Sequence, residues 1–133
     1  ENYGSFYIFK DKPVFRGYDY TNDESVLYWN GVEVYDEDVY SVTVSDKYLY
    51  YITSEDDELY RFDGKKSELV IEDARDVVVV DDKVYCIADY SDKKYSGDLY
   101  NITGKKPVKV TEDVEDLCTI WEAFKDETNY LWG

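Results

Sequence analysis

Apolar and polar positions alternate along this chain in short bursts, and the bursts return in order. Phe6 to Phe9 is an apolar run; Val42 and Val44, then Val77 to Val80, hold the same place further on. A polar turn follows each run: Asp11-Lys12 before Val14-Phe15, Asp46-Lys47 before Leu49-Tyr50, Asp81-Asp82 before Val84-Tyr85. A third burst reads Leu27-Tyr28-Trp29, Leu59-Tyr60-Arg61-Phe62 and Leu99-Tyr100-Asn101-Ile102. A fourth follows a glycine turn: Val32 and Val34, Leu69 and Ile71, Val108 and Val110. Glu37-Asp38, Glu72-Asp73 and Glu112-Asp113 mark the start of each new round.

A period of about 35 to 40 residues is the signature of a repeat architecture, in which each unit hides its apolar face only against a neighbour. Each unit reads as four short strands. Val, Ile, Tyr and Phe suit a pleated, half-buried surface, and Val32-Glu33-Val34 sends apolar side chains to one face and charge to the other. Asn30-Gly31 and Asp63-Gly64 suit a type I′ turn, which needs positive φ at both central residues, with Thr103-Gly104 a poorer match at the same place. No stretch inside the repeats carries a rival helical unit. The predicted fold is therefore all-β: four-stranded antiparallel units forming a partial or small β-propeller, with an open stack of hairpin units as the alternative. The units are expected at about 5–39, 40–74 and 75–114, with a partial fourth at 115–133, all in one domain.

The tail can be read in two ways. Val114, Leu117, Cys118, Trp121 and Phe124 match a helical stripe. The repeat register instead makes Leu117 to Trp121 a first strand and Tyr130-Leu131-Trp132 a second, and the shared Glu-Asp lead-in favours that reading. The chain starts at a first strand with no lead-in and stops inside a fourth unit, as a piece of a longer protein would.

Spacing varies only between the second and third strands: Tyr18 to Glu24, Ser54 to Glu58 and Asp89 to Gly97. In repeat proteins such insertions gather on one side and often mark the binding face. Among 16 tyrosines, those at recurring strand positions read as packing between units: Tyr28, Tyr60 and Tyr100, and Phe15, Tyr50 and Tyr85. Tyr18, Tyr20, Tyr90 and Tyr95 sit in the variable loops, where the repeat does not require them. Exposed aromatic rings give large contact area at low entropy cost, so these four are the candidate binding surface.

Composition removes several functions. A net charge of −16 repels phosphate and argues against nucleic acid and anionic membranes as partners. No apolar stretch approaches the length of a membrane-spanning helix, and no signal peptide opens the chain. The chain has no histidine, which removes histidine-based triads, bases and metal sites. No glycine pattern fits a nucleotide. What remains for catalysis is a carboxylate pair of the glycosidase kind, and with 31 acidic residues close pairs arise by chance. Asp19, Asn22, Asp23 and Glu24, and Glu55 to Glu58, raise calcium, but neither group has the spacing that wraps one ion; solvated loops are the plainer reading. Cys86 and Cys118 lie in apolar runs and read as small buried hydrophobes, with a bridge between units as the minor alternative. No cofactor or metal is expected.

The second unit resembles a blade of a YWTD-type β-propeller, related to the low-density-lipoprotein-receptor propellers, through Tyr48-Leu49-Tyr50-Tyr51-Ile52-Thr53, Glu58-Leu59-Tyr60-Arg61-Phe62-Asp63-Gly64 and Leu69-Val70. Lys83-Val84-Tyr85-Cys86-Ile87, Leu99-Tyr100 and Thr103-Gly104 extend the resemblance, which covers most of residues 5 to 114; Tyr-Trp-Thr-Asp itself is absent. Asp46-Lys47-Tyr48-Leu49-Tyr50-Tyr51 is similar, more weakly, to bacterial Asp-Lys-x-Tyr-Tyr repeats. The resemblance implies an extracellular or cell-envelope bacterial module that binds a protein or another ligand without catalysis. A glycan or cell-wall polymer is the alternative partner, a purely structural repeat is a second alternative, and open strand edges invite a homo-oligomer.

Overall fold

In the computed structural model of the chain, the described residues are 6–115 with the exception of 22. They are all-β: twelve strands in three four-stranded antiparallel sheets, each ordered as a simple meander. The first sheet holds β1 (Phe6–Phe9), β2 (Lys12–Asp19), β3 (Glu24–Trp29) and β4 (Val32–Tyr35). The second holds β5 (Val39–Val44), β6 (Leu49–Thr53), β7 (Leu59–Phe62) and β8 (Ser67–Ile71). The third holds β9 (Val77–Val80), β10 (Lys83–Ser91), β11 (Ser96–Asn101) and β12 (Val108–Val114). Each sheet keeps two edges, so none closes into a barrel. Successive sheets meet through their first strands, β1 against β5 and β5 against β9. This repeated four-strand unit is consistent with a propeller-like arrangement. No helix among the described residues is long and apolar enough to cross a membrane. The tail from residue 116 on, with its two readings, lies outside the described residues.

Alternation along β6 explains the packing. All five of its residues are buried. Leu49 and Tyr51 join Phe9, Val14 and Leu27 of the first sheet, with Val39 and Phe62, in one cluster. Tyr50 and Ile52 point the other way and join Leu59, Ala74, Val77, Val84, Cys86 and Ile102 in a second. A period of two serves both neighbours because the middle sheet has no solvent face at this strand. Cys86 is a free thiol buried in that second cluster, and burial pushes its pKa up to about 12. Cys118 lies outside the described residues.

Each unit also carries the same irregularity. Leu27 pairs with Tyr35 while Tyr28 pairs with Glu33; Leu59 pairs with Ile71 while Tyr60 pairs with Leu69; Leu99 pairs with Thr111 while Tyr100 pairs with Lys109. One residue of the fourth strand is therefore left over each time: Val34, Val70 and Val110. These are β-bulges, which add twist to the outer strand. The recurring Leu-Tyr step marks where they sit.

Three sequence expectations are corrected. First, the aromatic series Phe15, Tyr50, Tyr85 is not one structural position. Leu27 lies opposite Arg16, Leu59 opposite Ile52 and Leu99 opposite Ile87, which makes Val14 the counterpart of Tyr50 and Tyr85. Phe15 falls on the other face and is 41% exposed, because at the second strand the first unit lies one residue farther from the second than the second does from the third, so an equal spacing lands one position past Val14. Second, only Asn30-Gly31 keeps positive φ at both turn residues as expected; Lys10-Asp11 does so where no such turn was expected. Asp63 does not: its carboxylate accepts the Lys65 and Lys66 amides at 2.8 and 3.0 Å and closes a wider loop. Thr103 and Gly104 both stay out of that region. Third, Val32, Leu69, Val108 and Val110 are exposed, since the fourth strand is the edge farthest from the packed first strands.

Gly97 shows how closely the third sheet is fitted. A Cβ there would lie 2.7 Å from the Ala88 carbonyl oxygen and 2.7 Å from Ile87 Cγ2. At Gly17 it would meet only the edge of the Tyr28 ring, at 3.1 Å. Gly97→Ala is expected to cost about 1–3 kcal/mol as overpacking against backbone, and Gly17→Ala to stay within about 1 kcal/mol of neutral. Urea unfolding of both variants checks the contrast.

Candidate functional site

The meander sends its connections to two ends. The turns between first and second strands, and between third and fourth, lie at one end. The loops between second and third strands, and the crossings to the next sheet, lie at the other.

The loop end carries the four tyrosines singled out from the sequence. Tyr18 and Tyr20 are 44% and 82% exposed and meet edge to face, 4.7 Å between centroids at 76°. Tyr95 is 72% exposed and holds φ at 55° in the tight turn between β10 and β11, where its amide donates to Ser91 at 2.7 Å. Tyr90 is half-buried under the Arg75 guanidinium at 4.2 Å. No ring contact among the described residues joins the Tyr18–Tyr20 pair to Tyr90 or Tyr95, so the four do not form one platform. Tyr90 instead lines a cleft of about 370 Å³ between the second and third sheets, with Asp57, Asp73, Arg75 and Asp92. A matching cleft of about 250 Å³ lies between the first and second sheets, lined by Tyr35, Glu37, Asp38, Thr53, Ser54 and Glu55.

The repeated Glu-Asp lead-in has its explanation here. Asp38 accepts the Ser54 amide through its backbone carbonyl at 3.0 Å and the Ser25 amide through its carboxylate. In the next unit the Ala74 amide donates to the Asp57 carbonyl at 2.9 Å, and Arg75 and Asp76 exchange backbone hydrogen bonds with Ile87 at 2.7 and 3.0 Å. The lead-in stitches each crossing to the loops beside it. Among the described residues no three metal-capable side chains converge on one ion; Asn22 and the side chains of Asp19 and Glu24 lie outside the described residues.

The turn end holds a cavity of about 630 Å³ that sequence reading did not anticipate. Lys10-Asp11 of the first sheet, Asp46-Lys47 of the second and Asp81-Asp82 of the third stand around it, with Ile8, Val44, Val79 and Val84 as its apolar wall. Tyr48, Tyr50, Ser45 and Thr103 complete it. The signal was present in the sequence: three acidic turns at 11, 46 and 81, in register with three first strands that pack side by side.

Arg61 braces this end. It is 5% exposed, donates to the Gly104 carbonyl of the third sheet at 2.9 Å, pairs with Glu68 at 2.9 Å and lies over the Tyr48 ring at 4.7 Å. Its Nε and the Tyr50 hydroxyl are both buried, and the Arg61 side chain is the hydrogen-bonding group that faces that hydroxyl. Burial raises the Tyr50 pKa, with the Arg61 charge opposing it.

Comparison with family models, curated proteins and solved structures finds no match for this chain.

Several phenols stay protonated in the fold beyond their ordinary range. The Asp89 carboxylate, accepting the Tyr100 hydroxyl at 2.6 Å, lifts the Tyr100 pKa to about 12, and burial followed by the Glu37 charge lifts Tyr35 to about 12. Burial also raises Tyr51 and Tyr60. A raised folded pKa contributes stability that is complete below the unfolded value of 10.0 and is lost as pH climbs toward about 12. Stability is therefore expected to be unaffected by these groups near neutrality and to fall between about pH 10 and 12, with Tyr100→Phe flattening part of the slope. Urea midpoints measured from neutral pH upward check it; a flat profile across that whole window would refute it.

Proposed function

We propose that this chain is a non-catalytic binding module of a bacterial envelope or secreted protein, holding a protein partner through the aromatic residues of its loop end. The observation that carries the reading is the division of its tyrosines. Those at inner strand positions, Tyr50 and Tyr51 above all, are buried between sheets, whereas Tyr18 at the end of β2 and Tyr20 and Tyr95 on loops whose length the repeat leaves free stand exposed. An exposed ring costs solubility, and a partner that covers it gains area with little ordering entropy.

The absence of histidine and the resemblance to YWTD-type repeats support the non-catalytic side. The edge-to-face setting of Tyr18 and Tyr20 favours a protein over a sugar, because a pyranose ring stacks on a flat aromatic face. Open edges at β4, β8 and β12 offer a route to a homo-oligomer.

The test compares the native chain with Tyr18→Ser/Tyr20→Ser and with Tyr95→Ser as baits in a bacterial envelope extract, alongside a glycan array. A protein retained by the native chain and lost with either variant, at unchanged circular dichroism, is the expected result. Array binding abolished by the same substitutions would move the partner to a glycan. Equal retention by all three baits would refute the loop-end surface.

A further inference from the structure

The net charge of −16 is not shared evenly between the two ends. Among the described residues, the segments that join strands at the loop end hold twelve acidic residues and three basic ones, whereas those at the turn end hold five aspartates and six lysines. Within the turn end the signs part again. The turns between first and second strands keep four aspartates against Lys10 and Lys47. The outer turns, between third and fourth strands, carry Lys65-Lys66 and Lys105-Lys106 against Asp63 alone. Two strand spacings, about 10 Å, separate outer from inner turns, and a strand of four to six residues, about 13–20 Å, separates them from the loop end. Both distances exceed the screening length of about 8 Å at physiological salt. The repulsion of phosphate expected from the net charge therefore describes the molecule as an average and not this edge.

Folding does not account for these lysines. Gly64-Lys65-Lys66 and Gly104-Lys105-Lys106 recur at one structural place, yet the first sheet makes the same connection with Asn30-Gly31 and no lysine. All four are exposed. None belongs to the ion pairs of the described residues, which join Arg61 to Glu68 and Lys109 to Asp98 and Glu112. In a chain with 31 acidic and 15 basic residues, lysine pairs without a carboxylate partner leave their charge free for another molecule. Asp63, the one acid in these turns, is engaged by the Lys65 and Lys66 backbone amides. The outer turns also stand in a row. A Cβ on Gly64 would lie 3.6 Å from Lys10 Cδ and 3.7 Å from the Trp29 ring, which sets the second sheet's outer turn against the first sheet. Arg61 holds the Gly104 carbonyl at 2.9 Å, which sets the third sheet's outer turn against the second. Lys10, Lys65-Lys66 and Lys105-Lys106 thus follow one another across three sheets.

We propose that the outer turns of the second and third sheets bind a linear phosphate-bearing polymer laid across them. Lysine serves phosphate as a point charge, and a row of lysine pairs matches a strand of repeating anions. A flat anionic membrane fits less well, because it would press the four inner-turn aspartates against headgroups at the same end. A single polymer strand follows the row and leaves them aside. Single-stranded nucleic acid also fits less well: its bases stack on rings beside the cationic groove, and the most exposed rings, Tyr20 and Tyr95, lie at the opposite end. The surface is separate from the loop tyrosines, so it stands or falls independently of them.

Calorimetry with long-chain inorganic polyphosphate, over a series of salt concentrations, tests it. The chains compared are the native one, Lys65→Gln/Lys66→Gln, Lys105→Gln/Lys106→Gln, both pairs together, and the loop-end control Lys93→Gln/Lys94→Gln, which removes the same charge as either pair. Phosphatidylglycerol vesicles and oligothymidine are the competing probes. Exposed turn lysines make no core contact, so all five chains are expected to unfold alike in urea. Polyphosphate should bind the native chain, weaken by about threefold or more with either pair lost and by about tenfold or more with both, and bind the control unchanged. The slope of log affinity against log salt should become shallower by about three when all four contacts are gone. No binding of polyphosphate, a control that loses as much as either outer-turn pair, or tighter binding of vesicles or oligothymidine than of polyphosphate overturns the proposal.

Discussion

Everything in this fold depends on one strand being buried from both sides. β6 sends Leu49 and Tyr51 into the first sheet and Tyr50 and Ile52 into the third, so the middle sheet is the shared floor of two cores. Neither outer sheet could bury its inner face without it. The aromatic ladder follows the same logic: Tyr35 of the first sheet lies 5.4 Å from Tyr51 and 6.2 Å from Tyr60 of the second, which stack at 12°. Phe15 and Tyr28, 6.0 Å apart, repeat that pair on the first sheet, but no earlier sheet among the described residues covers them. Repeat stability of this kind is a sum over neighbours, and the end units hold less of it.

Polar groups at this interface do a related job. Arg61 uses its charge within the structure, bonding across to the third sheet, pairing with Glu68 and roofing Tyr48. Trp29, at the same strand position one unit earlier, donates its indole N–H to the Phe9 carbonyl at 2.7 Å. The position after each of these two Leu-Tyr steps thus serves as a tie between elements, filled by whichever side chain reaches its acceptor. Arg61 is a buried cation, and a hydrophobic substitute would leave its carbonyl and carboxylate acceptors without their donor at once.

Much of this could be read from the chain. The four bursts per unit became four strands per sheet, and the exposure of Tyr20 and Tyr95 goes with their place between strands, whereas Tyr18 and Tyr90, read as loop residues, lie within β2 and β10, Tyr90 under Arg75. The face assignment of the first unit could not be read, because at the second strand its distance to the second unit is one residue longer than that from the second to the third, and a slip of one residue moves every side chain to the opposite face. Phe15 was therefore placed with the core although Val14 occupies it. The cavity escaped notice for a different reason. Its residues are far apart in sequence, and although the acidic turns at 11, 46 and 81 recur in step, that they face one another follows only from the packing of three first strands. The bulges at Val34, Val70 and Val110 were likewise hidden, since a leftover residue in an edge strand alters pairing without altering hydropathy.

The acidic character of the chain has a conformational component. Of the ten non-glycine residues held at positive φ among the described residues, seven are aspartates: Asp11, Asp23, Asp57, Asp73, Asp81, Asp89 and Asp113. Aspartate and asparagine enter that region more readily than other side chains because their short polar groups can bond locally. Part of the net charge is thus inherited from the geometry of turns, crossings and, at Asp89 and Asp113, strand irregularities. Anyone lowering the charge of this protein for crystallisation would find these seven sites unequal to the rest: asparagine would preserve the bend, whereas alanine or lysine would remove charge and backbone support together.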